Sequence, residues 1–144
     1  MGLWILPRKL FRLPGGQAAW EPGSGSTIMS YAGICGDENL PGQVDPYFHI
    51  GSIEEMLGYA GTFGTCSANR NIANQTPVVT VPAESVVIPK QTPFRLRGTA
   101  SDAANQTLTY SWEQFDLGRE SPPSSDDGTR PLFRSFPPQS SGTR

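Results

Sequence analysis

Glycine and proline interrupt this chain too often for long regular elements. The 144 residues include 16 glycines and 14 prolines, about a fifth of the whole, against a typical ~12%. Each proline removes a backbone donor, and each glycine brings freedom that a helix or strand must give up. Charged residues are only 17%, whereas a coiled coil or helical bundle needs Ala, Leu, Glu and Lys in quantity. The predicted class is therefore mixed and β-rich, with short strands, turns and long loops. The length suits one domain or two small ones.

Charge and hydropathy exclude several function classes. Eleven basic and 13 acidic residues leave a net charge of −2, which makes no electrostatic case for nucleic acid. No apolar run approaches the ~18 residues of a membrane span. The start, MGLWILPRKLFRLPGG, places its short apolar run before its basic residues. A secretory signal has the opposite order, so no signal peptide is expected. The chain has one histidine, His49. Chemistry that requires two or three imidazoles cannot be assembled within one copy.

The cysteines are Cys35 and Cys66, in GICG and GTCS. Two thiolates cannot complete a tetrahedral site, and these are not a C-x-x-C pair. Paired, they would close a loop of about 30 residues, with ~3–4 kcal/mol of stabilisation on the chain-entropy account. Unpaired, they are two free thiols. A disulfide would imply a destination outside the cytoplasm.

One segment carries a helix signal. In SIEEMLGY, Ser52 is a predicted N-cap and Glu55 completes a capping box, with Glu54 and Glu55 in the first turn. Ile53, Met56, Leu57 and Ala60 make one apolar stripe, expected to pack in the core. Gly58 and Gly61 should keep the helix short. Residues 67–77 are polar and read as a linker. Beyond them lie four candidate strands at 78–81, 85–89, 94–97 and 107–112, with LFRSF at 132–136 as a further short one. Leu108, Tyr110 and Trp112 alternate with Thr107, Thr109 and Ser111, the clearest period-two stretch. TASDAAN between the last two of the four is a predicted turn. ESPPSSDDGTRP is a predicted flexible loop.

The segment AWEPGSGSTIMSYAGICGDENLPGQVDPYFHIGSIEEML resembles a bacterial reprolysin-like group of metzincin zinc peptidases. Within it, STIMSYAG resembles the Met-turn that lies beneath the zinc in those enzymes. Met29 sits at the position of the turn methionine. Tyr31 matches a tyrosine that other metzincin branches place beside the zinc, and the resemblance implies a role in transition-state stabilisation. YFHIGSIEEM resembles the helix that follows the turn. TPVVTVPAESVVIPKQTPFRLRGTASDAANQTLTYSWEQFDLG resembles the immunoglobulin-like module behind such catalytic domains, and its A-S-D to L-T-Y-S-W stretch is also similar to PKD and cadherin-like repeats.

The resemblance divides the chain into a non-family extension (1–17), a metzincin C-terminal subdomain (18–66), a linker (67–77) and an incomplete immunoglobulin-like or PKD-like β-sandwich (78–144). It implies a secreted zinc metalloendopeptidase whose full-length members act on protein or peptide substrates. This chain departs from it decisively. H-E-x-x-H-x-x-G-x-x-H, whose histidines hold zinc in the family, is absent, and none of the 28 residues before Met29 is a histidine. The expectation is a fragment that binds no catalytic zinc and is inactive alone. The alternative is a non-enzymatic β-sandwich for adhesion, carbohydrate binding or spacing.

Other residues have plainer readings. His49 is expected to be a hydrogen-bonding structural residue. Asp37, Glu38 and Asp45 read as a solvated acidic loop, lacking the order of a calcium loop. Asp102 is expected to bond its own turn, with calcium the sharper alternative. Tyr110 and Trp112, on the face of Leu108, are expected to pack inward rather than form a carbohydrate platform. The NQT triplets at Asn74 and Asn105 match the N-glycosylation pattern, a coincidence in a bacterial-type protein.

Overall fold

The computed structural model describes residues 19–65, 68, 70–82, 85–119 and 122–144. In chain order these form a 3-10 turn at Gly36–Glu38, helix α1 at Ile50–Phe63, and strands β1 at Val78–Thr80 and β2 at Thr99–Ser101. The result is a small, loop-rich fold with one α-helix and one two-stranded antiparallel sheet. Two three-residue strands do not make the described residues β-rich, which corrects that expectation. No helix among them is long and apolar enough to cross a membrane.

The chain separates into two compact units. The first, here the helical unit, joins residues 19–65 with residues 113–119 and 122–137. The second, the strand unit, joins Ala68–Trp112 with Pro138–Arg144. The change of unit at residue 68 falls at the start of the predicted linker. Residues 113–119 and 122–137, assigned above to the β-sandwich, cluster with the helical unit. Their attachments are specific. Ala19 and Gly118 exchange backbone hydrogen bonds of 3.1 and 3.0 Å. Phe115 stacks on Trp20 with centroids 4.8 Å apart. Arg134 Nη2 donates to Asp45 Oδ2 at 3.2 Å, and its guanidinium lies 4.4 Å from the Phe136 ring centroid.

Helix α1 starts three residues earlier than its sequence suggests. The N-cap is His49, not Ser52, and its Nδ1 accepts from Gly51 N at 3.0 Å. Glu113 Oε2 accepts from Ile50 N at 2.7 Å, so two first-turn donors are satisfied by side chains. Glu54 and Glu55 therefore fall beyond the first turn. Glu55 Oε1 accepts from Trp20 Nε1 at 3.4 Å, where a capping box was expected. Trp20 lies so close to the first turn that a Cβ at Gly51 would stand 2.5 Å from its ring. Only glycine admits that approach. The helix passes through Gly58 and Gly61 and ends at Gly64, whose N–H donates to Ala60 O. The expected apolar stripe is not buried: Leu57 is 67% exposed, and Ile53 and Met56 are exposed too.

Among the described residues no large hydrophobic side chain is fully buried, although the Pro131 ring is. The buried polar and charged residues, Glu21, Ser24, Ser26, Thr27, His49 and Ser135, all lie in the helical unit. Its interior is mostly polar, and Glu21 organises the hydrogen bonds at its centre.

In the strand unit, β1 and β2 pair antiparallel with Val78 opposite Ser101 and Thr80 opposite Thr99. β2 thus occupies the start of the predicted TASDAAN turn. The expected strands at 85–89, 94–97 and 107–112 do not form, and 132–136 contains none. Two of them leave single bridges to the C-terminal residues, Arg97 to Thr143 and Tyr110 to Gln139. The alternation at 107–112 survives as burial, with 108, 110 and 112 half-buried and 107, 109 and 111 exposed. A period-two pattern directs side chains to one face. A ladder also needs a partner strand in register, and here the partner is a single residue.

Candidate functional site

The Met-turn-like segment is built on one carboxylate. Glu21 Oε1 accepts from Ser26 N at 3.0 Å and Ser26 Oγ at 2.9 Å. Glu21 Oε2 accepts from Thr27 N at 3.3 Å and Thr27 Oγ1 at 2.6 Å. The chain can return on itself because Gly23 and Gly25 have φ of +54° and +69°. At both positions an added Cβ would meet a neighbour under 3 Å away, Glu38 O at 2.6 Å and Ser30 Cβ at 2.8 Å.

The following residues are held from outside. Ser24 O accepts from Tyr31 N at 2.9 Å, and Ser24 Oγ accepts from Leu40 N at 3.0 Å. Ser30 N donates to Thr27 O at 3.0 Å and closes the turn that contains Met29. Asn39 Oδ1 accepts from Gly33 N and Cys35 N. On this frame Met29 is 63% exposed and Tyr31 66% exposed. Both side chains are solvent-exposed on a hydrogen-bonded backbone. Cys35 is a free thiol whose Sγ–H points to Tyr31 O at 3.5 Å. Its candidate partner Cys66 lies outside the described residues, as does the 1–17 extension.

Beneath the turn, burial pushes the Tyr47 phenol up to about 12. The Ser26 hydroxyl eases that shift without completing a hydrogen bond to Tyr47, and the carboxylates of Glu21, Asp45 and Glu113 add to it. An uncharged phenol suits a site already holding three acids.

His49 is committed to structure. Its Nδ1 accepts the cap bond, which places the ring proton on Nε2, and Nε2 lies 3.9 Å from Glu113 Oε2. Trp20 stacks on the ring at 5.8 Å. Asp37 and Glu38 are exposed on the 3-10 turn, while Asp45 pairs with Arg134. The three acids are not brought together. Asp102 makes the expected turn, its Oδ1 accepting from Ala104 N at 2.8 Å and Gln106 N at 3.1 Å. Trp112 is half-buried, its Nε1 donating to Gly142 O at 3.1 Å. Its ring edge faces Gly98, where a Cβ would lie 3.1 Å from it.

Glu21, Trp20, Tyr47 and Glu113 carry no role that their sequence context alone would assign. Glu21 had a partial signal, since a carboxylate before P-G-S-G-S-T can reach the donors of the Ser-Thr pair. Glu113 had none, because its contact spans 63 residues of chain. No family model, no curated protein and no solved structure matches this chain.

Proposed function

We propose that the helical unit corresponds to the Met-turn side of a reprolysin-like metzincin catalytic domain, and that the strand unit corresponds to part of the immunoglobulin-like or PKD-like module behind it. The chain then derives from a secreted zinc metalloendopeptidase whose full-length form cleaves peptide bonds. It carries the peptidase scaffold without the zinc helix and does not cleave protein itself. One observation carries this reading. S-T-I-M-S-Y-A-G folds into a turn closed by Ser30 N to Thr27 O, with Met29 and Tyr31 projecting from it.

The donor set does not fit the family's zinc. The sole imidazole spends Nδ1 on the helix cap and faces Glu113 with Nε2. Among the described residues, no three His, Cys, Asp or Glu side chains converge on one point. A metzincin zinc takes three imidazoles, and the glutamate of its helix serves as general base. In the full-length family, Tyr31 would stand ready for the transition state. In this chain it has no reacting centre to serve.

The test is zinc content after dialysis, combined with casein cleavage with and without chelator. The expected result is neither stoichiometric zinc nor cleavage. One tightly bound zinc per chain, with chelator-sensitive cleavage, overturns the claim of inactivity. The family assignment is tested separately by the gene. H-E-x-x-H-x-x-G-x-x-H encoded upstream of the first codon, in any frame, is expected, and its absence there removes the assignment.

A further inference from the structure

The strand unit contains a cavity of about 360 Å³ that opens broadly to solvent beside β2. Its lining includes Asp102, Asn105, Gln106, Leu108, Tyr110 and Ser140. We propose that this cavity binds a neutral sugar ring through its hydroxyls. The proposal stands whether or not the peptidase reading holds.

Hydrogen bonds hold two parts of the wall, Tyr110 and the Asp102 turn. Tyr110 exchanges backbone hydrogen bonds of 2.7 and 2.9 Å with Gln139, and its hydroxyl accepts from Ala100 N at 3.2 Å. Its ring is thus tied at both ends. Asp102 Oδ1 holds the amides of residues 104 and 106, and Asp102 O accepts from Asn105 N at 3.1 Å. That turn keeps Asn105 at φ +54°, a left-handed conformation that Asn adopts more readily than most residues.

The lining selects the ligand class. Two carboxamides, hydroxyls and a carboxylate supply both donors and acceptors. A sugar hydroxyl is itself both, so each can be met twice. Leu108 and the Tyr110 ring offer an apolar wall for the C–H face of a pyranose. No lysine, arginine or histidine lines the cavity, so an anion finds no counter-charge. A hard cation finds one carboxylate, with one oxygen already accepting two backbone N–H bonds, where calcium takes six to eight oxygens. The volume lies within the ~300–1,000 Å³ of small-molecule sites. Because the cavity is open, a dissociation constant of about 1 mM is expected.

The test titrates the isotope-labelled full chain with cellobiose, N-acetylglucosamine, calcium chloride and sodium phosphate in separate samples, followed by amide NMR. Saturable shifts confined to residues 100–110 and 140 with at least one sugar are expected. Asn105→Gly removes the carboxamide but keeps the positive φ accessible, and Gln106→Ala removes the second. At least one of them should weaken binding by about tenfold or more with the amide spectrum otherwise retained. The proposal is overturned if neither sugar gives saturable shifts, if the shifts fall elsewhere, if only calcium or phosphate gives them, or if sugar binding survives both substitutions.

Discussion

The loop around Glu21 and the segment around Val87 are opposites. The first is polar in sequence, yet Ser26 and Thr27 are almost completely buried. The second is apolar, yet Val86 is 64% exposed and Val87 94% exposed. In the loop, four donors converge on one carboxylate. In the valine segment, residues 85–89 form no strand. Hydrophobicity states a preference for burial but names no partner. A carboxylate with donors five and six residues ahead names its partners within the sequence. In a chain this rich in glycine and proline, the self-satisfying polar loop orders more structure than the apolar runs.

The sharpest way to break this contrast is Glu21→Ala. It strands the amides of Ser26 and Thr27 and the Thr27 hydroxyl in a buried site, while Ser26 Oγ keeps Ser135 O as an acceptor at 3.2 Å. Hydrogen bonds to a charged group contribute about 1.5–3 kcal/mol each, and they do not add fully when shared. A loss of about 3–4 kcal/mol is expected. Amide exchange at Thr27 and Tyr31 should rise with it. Protection unchanged at both amides would mean the glycine turns hold the loop without the carboxylate.

Much of the helix was legible in the sequence, and little of its setting was. Ile53, Met56 and Leu57 gave the helical period and the residues lie in α1. The cap was misassigned because Ser52 is the better residue type, while His49 is fixed by its surroundings. Glu113 and Trp20 come from distant positions and decide where the helix begins. The resemblance of S-T-I-M-S-Y-A-G to a Met-turn was legible as a string, and the Glu21 network that shapes this loop was not. The strands were over-read for the converse reason. Alternation at 107–112 is a local property, and it survives as burial. Pairing depends on what the C-terminal residues reach, which no local pattern encodes.

A second test uses the helix glycines as an internal comparison. Gly51→Ala puts a methyl into the Trp20 ring, and overpacking of this kind costs about 1–3 kcal/mol. Gly61 has nothing within 4 Å of an added Cβ. Gly61→Ala should therefore stabilise α1 by about 1 kcal/mol through helix propensity alone. The same substitution in one helix should have opposite signs, read by urea unfolding followed by far-UV circular dichroism. Equal effects would mean Trp20 does not pack on the first turn.

High pH addresses the buried side of the loop. The folded state holds the Tyr47 phenol at about 12, above its usual 10. Between those values the folded chain binds more protons than the unfolded one. Stability is fully present below pH 10 and falls as pH rises toward 12. Tyr47→Phe should flatten that fall relative to the parent chain, measured by urea unfolding across the window. An unchanged slope would place the phenol in water.

The smallest effect belongs to the valine segment. Val87→Thr preserves β-branching and replaces a methyl with a hydroxyl at a side chain already in water. Substitutions away from packing, caps and buried polar groups fall within about 0.5 kcal/mol of zero. A change inside that limit keeps the contrast with Glu21 intact. A loss beyond about 1 kcal/mol would assign Val87 a burial of the size of one methylene or more. The valines would then be packing against something, and the apolar pattern of residues 85–89 would regain the weight that its sequence first suggested.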